Sequence, residues 1–354
     1  MRIGGDEFAI VGRAEGRDGA SRIAEQVLQS LRTPFTLKER ELTVTSSVGI
    51  GISEVGDDAL SLLCKADLAM YEAKRRGPGM YAVFSGALER AADRRLDLEM
   101  ELRRAIARNE IGVAYQPIVR LADRELVGFE ALVRWRGSAR SPVRNPESFL
   151  PVAEETGLIH QIDRTVLVQA AAALRKWRQY RPNLMMSVNL DPSVLNGEHF
   201  VEEVAAFCRR AGIEPRWLQF EVTESRLMQD LERGIAAMTE LRALGIRLAI
   251  DDFGTGYSSL SQIKQLPMDT LKIDKSFISS LDTEAPDREI VRLILALGSA
   301  MGVSIVAEGI EEEEHVRVLL EMGCDMGQGY LFSRPVDARR AGALVTADRL
   351  DWAA

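Results

Sequence analysis

The feature that most constrains the fold is a regular alternation of apolar and amphipathic segments that begins near residue 111. Eight apolar runs have the length and composition of buried strands, at 112–118, 126–135, 185–190, 218–222, 247–250, 270–273, 304–307 and 329–332. Helical segments separate most of them, at 163–179, 200–211, 231–244, 288–300 and 311–322. Parallel strands need long crossover connections, so this alternation predicts parallel strands covered by helices. Eight strands over about 235 residues favour a closed (β/α)8 barrel over a doubly wound sheet, which shows the same alternation.

Polar side chains recur where these runs end. The positions are Glu130, Asn189, Glu221, Asp251 with Asp252, Lys272 with Asp274, and Glu308, and Gln328 precedes the last run. A single carboxylate at a strand end is usually a helix N-cap or a solvated loop residue. Independent capping does not explain why Asp, Glu or Asn recurs at successive strand ends. In a parallel barrel these ends meet at one rim, so the pattern predicts an active site there.

Carboxylates gathered on one rim repel each other unless cations lie among them. The pattern offers oxygen ligands only, which favours a hard ion, Mg²⁺ or Mn²⁺. The adjacent Asp251 and Asp252 could bridge two ions about 3.5–4 Å apart, as in two-metal hydrolysis. Gly254 and Gly256 would allow the following loop to fold tightly over such a site.

Composition excludes several other classes of protein. The 354 residues carry 45 basic and 53 acidic side chains, a net charge of −8, which argues against a nucleic-acid polymer as partner. The 3 cysteines and 3 histidines lack the spacing of a disulfide framework or of a His/Cys metal centre. The longest uncharged apolar stretch, 293–307, is shorter than a membrane span of about 20 residues, and no signal peptide opens the chain. We therefore expect a cytoplasmic chain without a membrane segment, with any membrane or sensory segment upstream of Met1.

Residues 1–84 have a different texture, with short predicted elements of mixed type. Strands are predicted at 8–12, 42–52 and 81–84, and helices at 19–31 and 58–76. Residues 85–109 are rich in charge and carry apolar residues at helical spacing, which predicts a connecting helix. The predicted organisation is an α/β region at 1–84, the connecting helix at 85–109 and the barrel at 110–345.

Several motifs in the barrel region resemble those of EAL-domain cyclic di-GMP phosphodiesterases. Glu130-Ala131-Leu132 is followed by Arg134, and further matches span residues 112–335 in order. They are Tyr115-Gln116-Pro117-Ile118, Ser187-Val188-Asn189-Leu190, Glu221-Val222-Thr223-Glu224-Ser225, Asp251-Asp252-Phe253-Gly254-Thr255-Gly256-Tyr257-Ser258-Ser259, Leu271-Lys272-Ile273-Asp274, Ala307-Glu308-Gly309-Ile310-Glu311 and Gln328-Gly329-Tyr330. This resemblance implies hydrolysis of one phosphodiester of cyclic di-GMP to linear pGpG.

The resemblance also implies a role for each matched residue. The metal ligands would be Glu130, Asn189, Glu221, Asp251 and Asp252, holding two Mg²⁺ or Mn²⁺ ions. The catalytic residues would be Lys272, Glu308 as the favoured general base, Glu130 and Asp252. The substrate-binding residues would be Gln116, Arg134, Asp274 and Gln328, and Glu224 and Glu311 would stabilise the loop at 252–259. Membership of the family would further imply a homodimer formed through the barrel.

Upstream, Arg2-Ile3-Gly4-Gly5-Asp6-Glu7-Phe8 resembles the signature of GGDEF diguanylate cyclase domains. In the family a strand and helices, with a further metal-binding Asp, precede this signature, and because Met1 stands directly before Arg2 we expect them to be missing here. We therefore expect residues 1–84 to be a truncated α/β GGDEF fragment whose Gly4, Gly5, Asp6 and Glu7 are vestigial and form a surface hairpin turn. Such a remnant should expose apolar surface and lack cyclase activity, and GTP binding to it is left open.

Two other functions would use the same rim residues. The barrel could bind cyclic di-GMP and transmit a signal without hydrolysis, although the matched ligand set is complete. A metal-dependent barrel enzyme of another chemistry, such as enolisation, would need the same carboxylates but gives no role to Arg134 and Gln328. Hydrolysis of cyclic di-GMP is therefore the leading hypothesis.

Overall fold

Two units, Met1–Met100 and Glu101–Ala354, make up the chain, and each is described by itself. The structure, a computed structural model, describes residues 1–37, 40–137, 144–191, 199–255, 259–281 and 285–347. Gly256, Tyr257 and Ser258 of the predicted tight loop lie outside these residues.

The first unit consists of short paired strands and two longer helices. In chain order the elements are β1 (Arg2–Gly4), β2 (Glu7–Phe8), α1 (Gly16–Arg32), β3 (Phe35–Leu37), β4 (Arg40–Leu42), β5 (Val48–Ile50), α2 (Ala59–Arg76) and β6 (Tyr81–Val83). β1 and β2 pair antiparallel, as do β3 and β4, whereas β5 and β6 pair parallel. Ala69, Ala73 and Ala82 form a small core with the partly buried Phe84.

Both predicted helices of this unit are confirmed. Asp58 caps α2 through a reciprocal capping box with Ser61. Two predicted strands are wrong, because β2 ends at Phe8 and the run at 42–52 is divided between β4 and β5. β-branched residues form a strand only where a partner continues the ladder, and the described ladders here are two or three residues long.

The second unit contains the barrel. Its elements, with α3 containing the boundary between the units, are α3 (Gly86–Ala107), β7 (Ile111–Arg120), β8 (Leu126–Trp135), α4 (Pro146–Glu155), α5 (Ile159–Trp177), β9 (Met185–Asn189), α6 (Phe200–Ala211), β10 (Leu218–Thr223), α7 (Glu224–Leu227), α8 (Leu231–Leu244), β11 (Arg247–Phe253), α9 (Leu260–Ile263), β12 (Thr270–Ile273), α10 (Lys275–Ile278), α11 (Ala285–Met301), β13 (Ser304–Ala307), α12 (Glu313–Glu321), β14 (Met326–Gly327) and α13 (Ala338–Thr346).

The predicted eight-stranded closed barrel is confirmed, with the strands in the order β7 to β14 around it. The prediction that all of its strands are parallel is wrong, because β7 runs antiparallel to both of its neighbours, β8 and β14. The short connection at 121–125 explains the reversal, since it can join antiparallel strands but is too short for a crossover helix.

The last predicted strand is also displaced. The structure places β14 at Met326–Gly327, so Gln328 follows the strand instead of preceding it. The segment at 329–332 instead packs against the residues after β13, where Ile310 N donates to Gln328 O and Leu331 N donates to Ile310 O. A Cβ atom at Gly329 would lie 1.9 Å from Ile310 O, so only glycine permits this approach. No helix within the described part of the chain is both long and apolar enough to cross a membrane.

Candidate active site

A connected group of predicted site residues lies at one end of the barrel. Its members are Gln116 on β7, Glu130 on β8, Asn189 at the end of β9, Glu221 on β10, Asp251 on β11, Lys272 on β12, Glu308 after β13 and Gln328 after β14. The strand register accounts for part of this meeting, since Gln116 is paired with Glu130 across β7 and β8, and Glu221 with Asn189 across β10 and β9. The structure therefore brings eight side chains, one from each barrel strand or its end, into one site.

Lys272 lies at the centre of the carboxylates. Its side chain is 1% exposed, and Nζ donates to Glu221 Oε2 at 2.7 Å. Nζ also lies 3.0 Å from Asp251 Oδ1 and 2.5 Å from Glu308 Oε1. Glu130 Oε2 is further away, at 3.7 Å. One buried cation thus faces four carboxylates, which it does not neutralise.

The pKa values follow from this imbalance. Burial alone disfavours the charge on Lys272, but Asp251, Glu130, Glu221 and Glu308 together raise its pKa well above the ordinary value. Burial raises the pKa of Glu221 to about 8 against the opposing charge of Lys272, and it raises that of Glu308 well above its usual range. Protons therefore bind strongly here when no metal is present, and a metal cation would take their place as counter-charge.

An amide network fixes the orientation of Glu130. Asn189 Nδ2 donates to Glu130 Oε1 at 2.8 Å, and Gln328 Nε2 donates to Glu130 Oε2 at 2.5 Å. Gln328 Nε2 also lies 2.9 Å from Gln116 Oε1, and Gln116 Nε2 donates to Ser333 O at 3.3 Å. Burial works against ionisation of Glu130, yet Lys272 and these amide donors lower its pKa. Glu130 is thus held as a carboxylate. The motifs gave no sign of Ser333, because it contributes only a backbone oxygen.

The consecutive carboxylates Asp251 and Asp252 do not follow regular strand geometry. Neighbouring side chains of a strand point to opposite faces, but the register of β11 against β12 is irregular between Ile250 and Phe253. Asp252 has a φ of 54°, which is uncommon for a residue other than glycine, and its N–H donates to Asp251 Oδ1 at 3.0 Å. Desolvation of its carboxyl group, with repulsion from Asp251 and Asp274, raises the pKa of Asp252 to about 6. Asp252 therefore faces Asp274 beside the main cluster.

Asp274 has a structural contact of its own. Its side chain caps α10 by accepting a hydrogen bond from Ser276 N at 3.0 Å. The predicted role of Asp274 in substrate binding stays a prediction, because its observed contacts are with this cap and with Asp252.

The two residues predicted to stabilise the loop after β11 differ. Glu224 is buried, and its Oε2 accepts a hydrogen bond from Gly254 N at 3.0 Å. Gly254 has a φ of 97°, in the region that favours glycine. Glu311 is exposed, and its role in the loop stays a prediction.

Arg134 lies four residues after Glu130 on β8, and residues spaced by two or four line the same face of a strand. Its Nη1 donates to Val133 O at 2.7 Å. Burial lowers the pKa of Arg134, and the negative charge of Glu130 opposes that shift. Tyr330 is about half exposed, and the Arg334 guanidinium lies 4.3 Å from the centre of its ring. Tyr330 was part of a matched motif but had no predicted role.

The residues present fit a divalent cation. Glu130, Glu221 and Asp251 each offer a carboxylate oxygen, and these three atoms lie within 4.8 Å of one another. Glu221 Oε1 is buried and has no hydrogen-bond partner among the residues that the structure describes. A buried polar oxygen without a hydrogen-bond partner is costly, so this atom is suited to a metal ligand. The donors are all oxygens, which favours Mg²⁺ or Mn²⁺.

The Gly4–Glu7 segment in the first unit shows no comparable site. All four residues are exposed in the β1–β2 hairpin, where Gly5 has a φ of 52° and its carbonyl oxygen accepts hydrogen bonds from the Arg2 side chain. A cavity of about 590 Å³ in this unit is lined by α1, by Arg76 at the end of α2, and by residues 79–83, and none of Gly4 to Glu7 lines it.

Comparison with known proteins agrees with this architecture. The sequence profile of the EAL domain matches residues 99–335, and that of the GGDEF domain of diguanylate cyclases matches residues 1–79. A solved structure of the PaMucR phosphodiesterase in complex with c-di-GMP is 39% identical with a TM-score of 0.66, covering 69% of this chain and 99% of that one.

Curated relatives match almost the whole chain. The cyclic di-GMP phosphodiesterase NbdA of Pseudomonas aeruginosa is 36% identical over 99% of this chain and 45% of its own length. The bifunctional diguanylate cyclase/cyclic di-GMP phosphodiesterase MucR of the same organism is 36% identical over 97% of this chain and 50% of its own length. The chain thus spans about half the length of these relatives. The profile match, the barrel and the side chains at its rim together place this chain in the EAL-domain family, with a GGDEF-domain match preceding the EAL domain.

Proposed function

We propose that this chain hydrolyses one phosphodiester of cyclic di-GMP to give linear pGpG, in a reaction that depends on Mg²⁺ or Mn²⁺. The observation that carries the proposal is the buried cluster of Glu130, Glu221, Asp251 and Glu308 around Lys272. A barrel that served only as a scaffold would gain nothing from so costly a group of charges. The named activities of NbdA and MucR support the same substrate class.

Glu130, Asn189, Glu221 and Asp251 would hold one ion, and Asp251 with Asp252 would help to hold a second. Such ions would supply a nucleophile at neutral pH and neutralise charge on the phosphoryl oxygens. The irregular register of β11 at Asp251 and Asp252 is the feature of this chain that would suit two ions.

Other side chains would bind and orient the substrate. The Arg134 guanidinium can donate in a forked geometry to phosphate oxygens, while Gln116 and Gln328 present amide groups beside Glu130. Lys272 would stabilise negative charge that develops at the phosphorus centre. Glu308, 2.5 Å from Lys272 Nζ, would hold or release a proton at its carboxyl group.

The test is to incubate the purified chain with cyclic di-GMP and either metal and to identify the product by liquid chromatography and mass spectrometry. We expect pGpG, no product in EDTA, and loss of turnover in Glu130→Ala, which removes a ligand and not a core side chain. Glu125→Gln is a matched control, because Glu125 is exposed just before the same strand, β8, and pairs with Arg120. Binding of cyclic di-GMP without turnover, in folded protein supplied with Mn²⁺, would replace the proposal with the receptor function.

We also expect a homodimer formed through the barrel and a cytoplasmic location, and GTP binding by residues 1–84 remains open. Light scattering of the purified chain tests the first expectation. A GTP titration in the absence of cyclic di-GMP tests binding to the first unit.

A further inference from the structure

A second group of charged side chains lies next to the metal-binding residues and has no part in the function proposed above. Arg226 on α7 donates from Nη1 to Asp191 and from Nη2 to Glu154 near the end of α4. Asp163 on α5 accepts a hydrogen bond from Asp191 N at 3.2 Å. One guanidinium thus joins three segments of the chain and faces three carboxyl groups.

These carboxyl groups are partly or largely buried, so they depend on the guanidinium for a nearby counter-charge. The Asp191 side chain is 8% exposed, whereas Glu154 and Arg226 are 28% and 35% exposed. Charges withdrawn from water to this extent are screened weakly. Burial, together with the charges of Asp191 and Glu154, raises the pKa of Asp163 to about 7. Arg226 thus places a positive charge beside the nearly buried Asp191, close to two further carboxyl groups.

Two of the three segments joined by Arg226, the residues after β9 and α7, adjoin a predicted metal ligand or the loop that follows one. Asp191 comes two residues after Asn189, and the intervening Leu190 N donates to Glu221 O at 2.9 Å. α7 directly follows β10, which carries Glu221. Glu224 lies on the same helical turn as Arg226, and its carboxylate accepts a hydrogen bond from Gly254 N. Gly254 follows Asp252 by two residues in the loop after β11.

We propose that Arg226 is a positioning residue that fixes α7 against the segment after β9, and thereby holds Asn189 and the loop after Asp252 in the geometry required for metal binding. The contacts form a chain from Glu154 and Asp191 through Arg226 to α7, and from Glu224 to Gly254. Arg226 itself contacts no metal ligand. The role of Asn189 and Asp252 as ligands rests on the proposed function, whereas the tether of Gly254 through α7 does not.

The variant Arg226→Met keeps the length of the side chain and removes the guanidinium. We expect the dissociation constant for Mn²⁺, measured by calorimetry without substrate, to rise about 10–100-fold, as when groups that orient metal ligands are removed. Hydrogen exchange of the peptide containing Gly254 should also accelerate. In turnover assays the Mn²⁺ concentration for half-maximal rate should rise, while the rate at saturating Mn²⁺ should fall much less.

Three further variants separate positioning from general stability. Arg233→Met is the matched control, because Arg233 is exposed at the start of α8 and lies 3.7 Å from Asp230, so neither readout should change. Arg226→Lys should restore binding only in part, since an ammonium does not span two carboxylates as a guanidinium fork does. Glu154→Gln removes one of the two ion pairs. It should raise the Mn²⁺ dissociation constant and accelerate exchange at Gly254, each by less than Arg226→Met does. This variant tests the proposal even if Arg226→Met does not fold.

A folded Arg226→Met protein that melts at a lower temperature, but binds Mn²⁺ and exchanges at Gly254 like the wild type, would overturn the proposal. If the wild type bound no Mn²⁺, the proposed function would fail, and the exchange at Gly254 would still decide whether Arg226 holds the loop.

Discussion

The two units of the chain differ in how completely their strands are paired and their apolar side chains covered. In the barrel every strand has two neighbours, and Phe129 and Phe220 are fully buried. In the first unit the described strands pair only two by two, and Phe8 and Val11 are 70% and 90% exposed. A closed barrel has no free edge and holds the backbone rigidly, which allows it to keep like charges close together. The charge cluster is therefore found in the barrel, and the unit with open edges carries its signature residues on an exposed hairpin.

The largest effect should come from removing the central cation of the barrel. Lys272→Met leaves Glu130, Glu221, Asp251 and Glu308 without their buried counter-charge, so the rate of hydrolysis should fall by about 10²–10³-fold. Breaking such a buried pair should also lower the free energy of unfolding by about 3–5 kcal/mol without metal. The measurements are initial rates and thermal unfolding with EDTA or Mn²⁺, and Mn²⁺ should recover part of the lost stability.

The control for this variant is Lys275→Met, which removes an exposed lysine on α10 three positions further along the chain. It should change neither the rate nor the melting temperature measurably. Metal-free stability equal to the wild type in Lys272→Met would contradict the account of Lys272 as the necessary counter-charge.

The next largest effect should come from a matched pair of side-chain truncations, one in each unit, which compares how much stability a buried and an exposed phenylalanine contribute. Phe129 packs at 5.0 Å from the Trp177 ring and is fully buried, so Phe129→Ala should cost about 3–5 kcal/mol of unfolding free energy. Phe8 is largely exposed, so Phe8→Ala should change stability by less than about 0.5 kcal/mol. Denaturant unfolding of the full chain measures both values. Equal losses would show that the first unit buries Phe8 in solution and that the contrast between the units is wrong.

The sequence predicted the barrel well where local and tertiary preferences agree. β8, β12 and β13 have the predicted bounds, because continuous apolar runs are what strands buried on both faces require. The reversed direction of β7 was missed although the short 121–125 connection contained the signal. β14 was misplaced because the aromatic run after Gly329 resembles a strand, while the close approach of Ile310 to Gly329 is visible only in three dimensions.

The same limit applies to the site. Motifs and strand ends indicated the residues that carry the chemistry, such as Glu130 and Lys272. Contacts between distant segments were not predictable, and Arg226 illustrates this, because its partners lie 35 and 72 positions away and share no periodic pattern with it. The bulge at Asp251 was likewise invisible, since it depends on the register with β12.

A smaller effect should appear in the pH dependence of barrel stability. The pKa of Asp163 is raised from 3.8 to about 7, mainly by burial, so the folded protein binds more protons than the unfolded chain between about pH 4 and 7. Stability from this group is therefore lost as the pH rises through that window. Asp163→Asn keeps an acceptor for Asp191 N but cannot titrate, so it should not lose stability in this way. The melting temperature of the variant, relative to that of the wild type at the same pH, should therefore rise between pH 4 and 7. A constant difference between the two proteins across this range would contradict the raised pKa.

The smallest effect is expected at the GGDEF-like signature. Asp6 is exposed in the β1–β2 hairpin and does not line the 590 Å³ cavity beside α1 and β6, so Asp6→Asn should change unfolding free energy by less than about 0.5 kcal/mol. Turnover of cyclic di-GMP should be the same in the variant and in the wild type, with or without added GTP. The measurement is pGpG formation at several GTP concentrations. A GTP-dependent change of rate that Asp6→Asn abolishes would show that the hairpin binds nucleotide and acts on the barrel. The first unit would then have a function of its own in spite of its exposed signature residues.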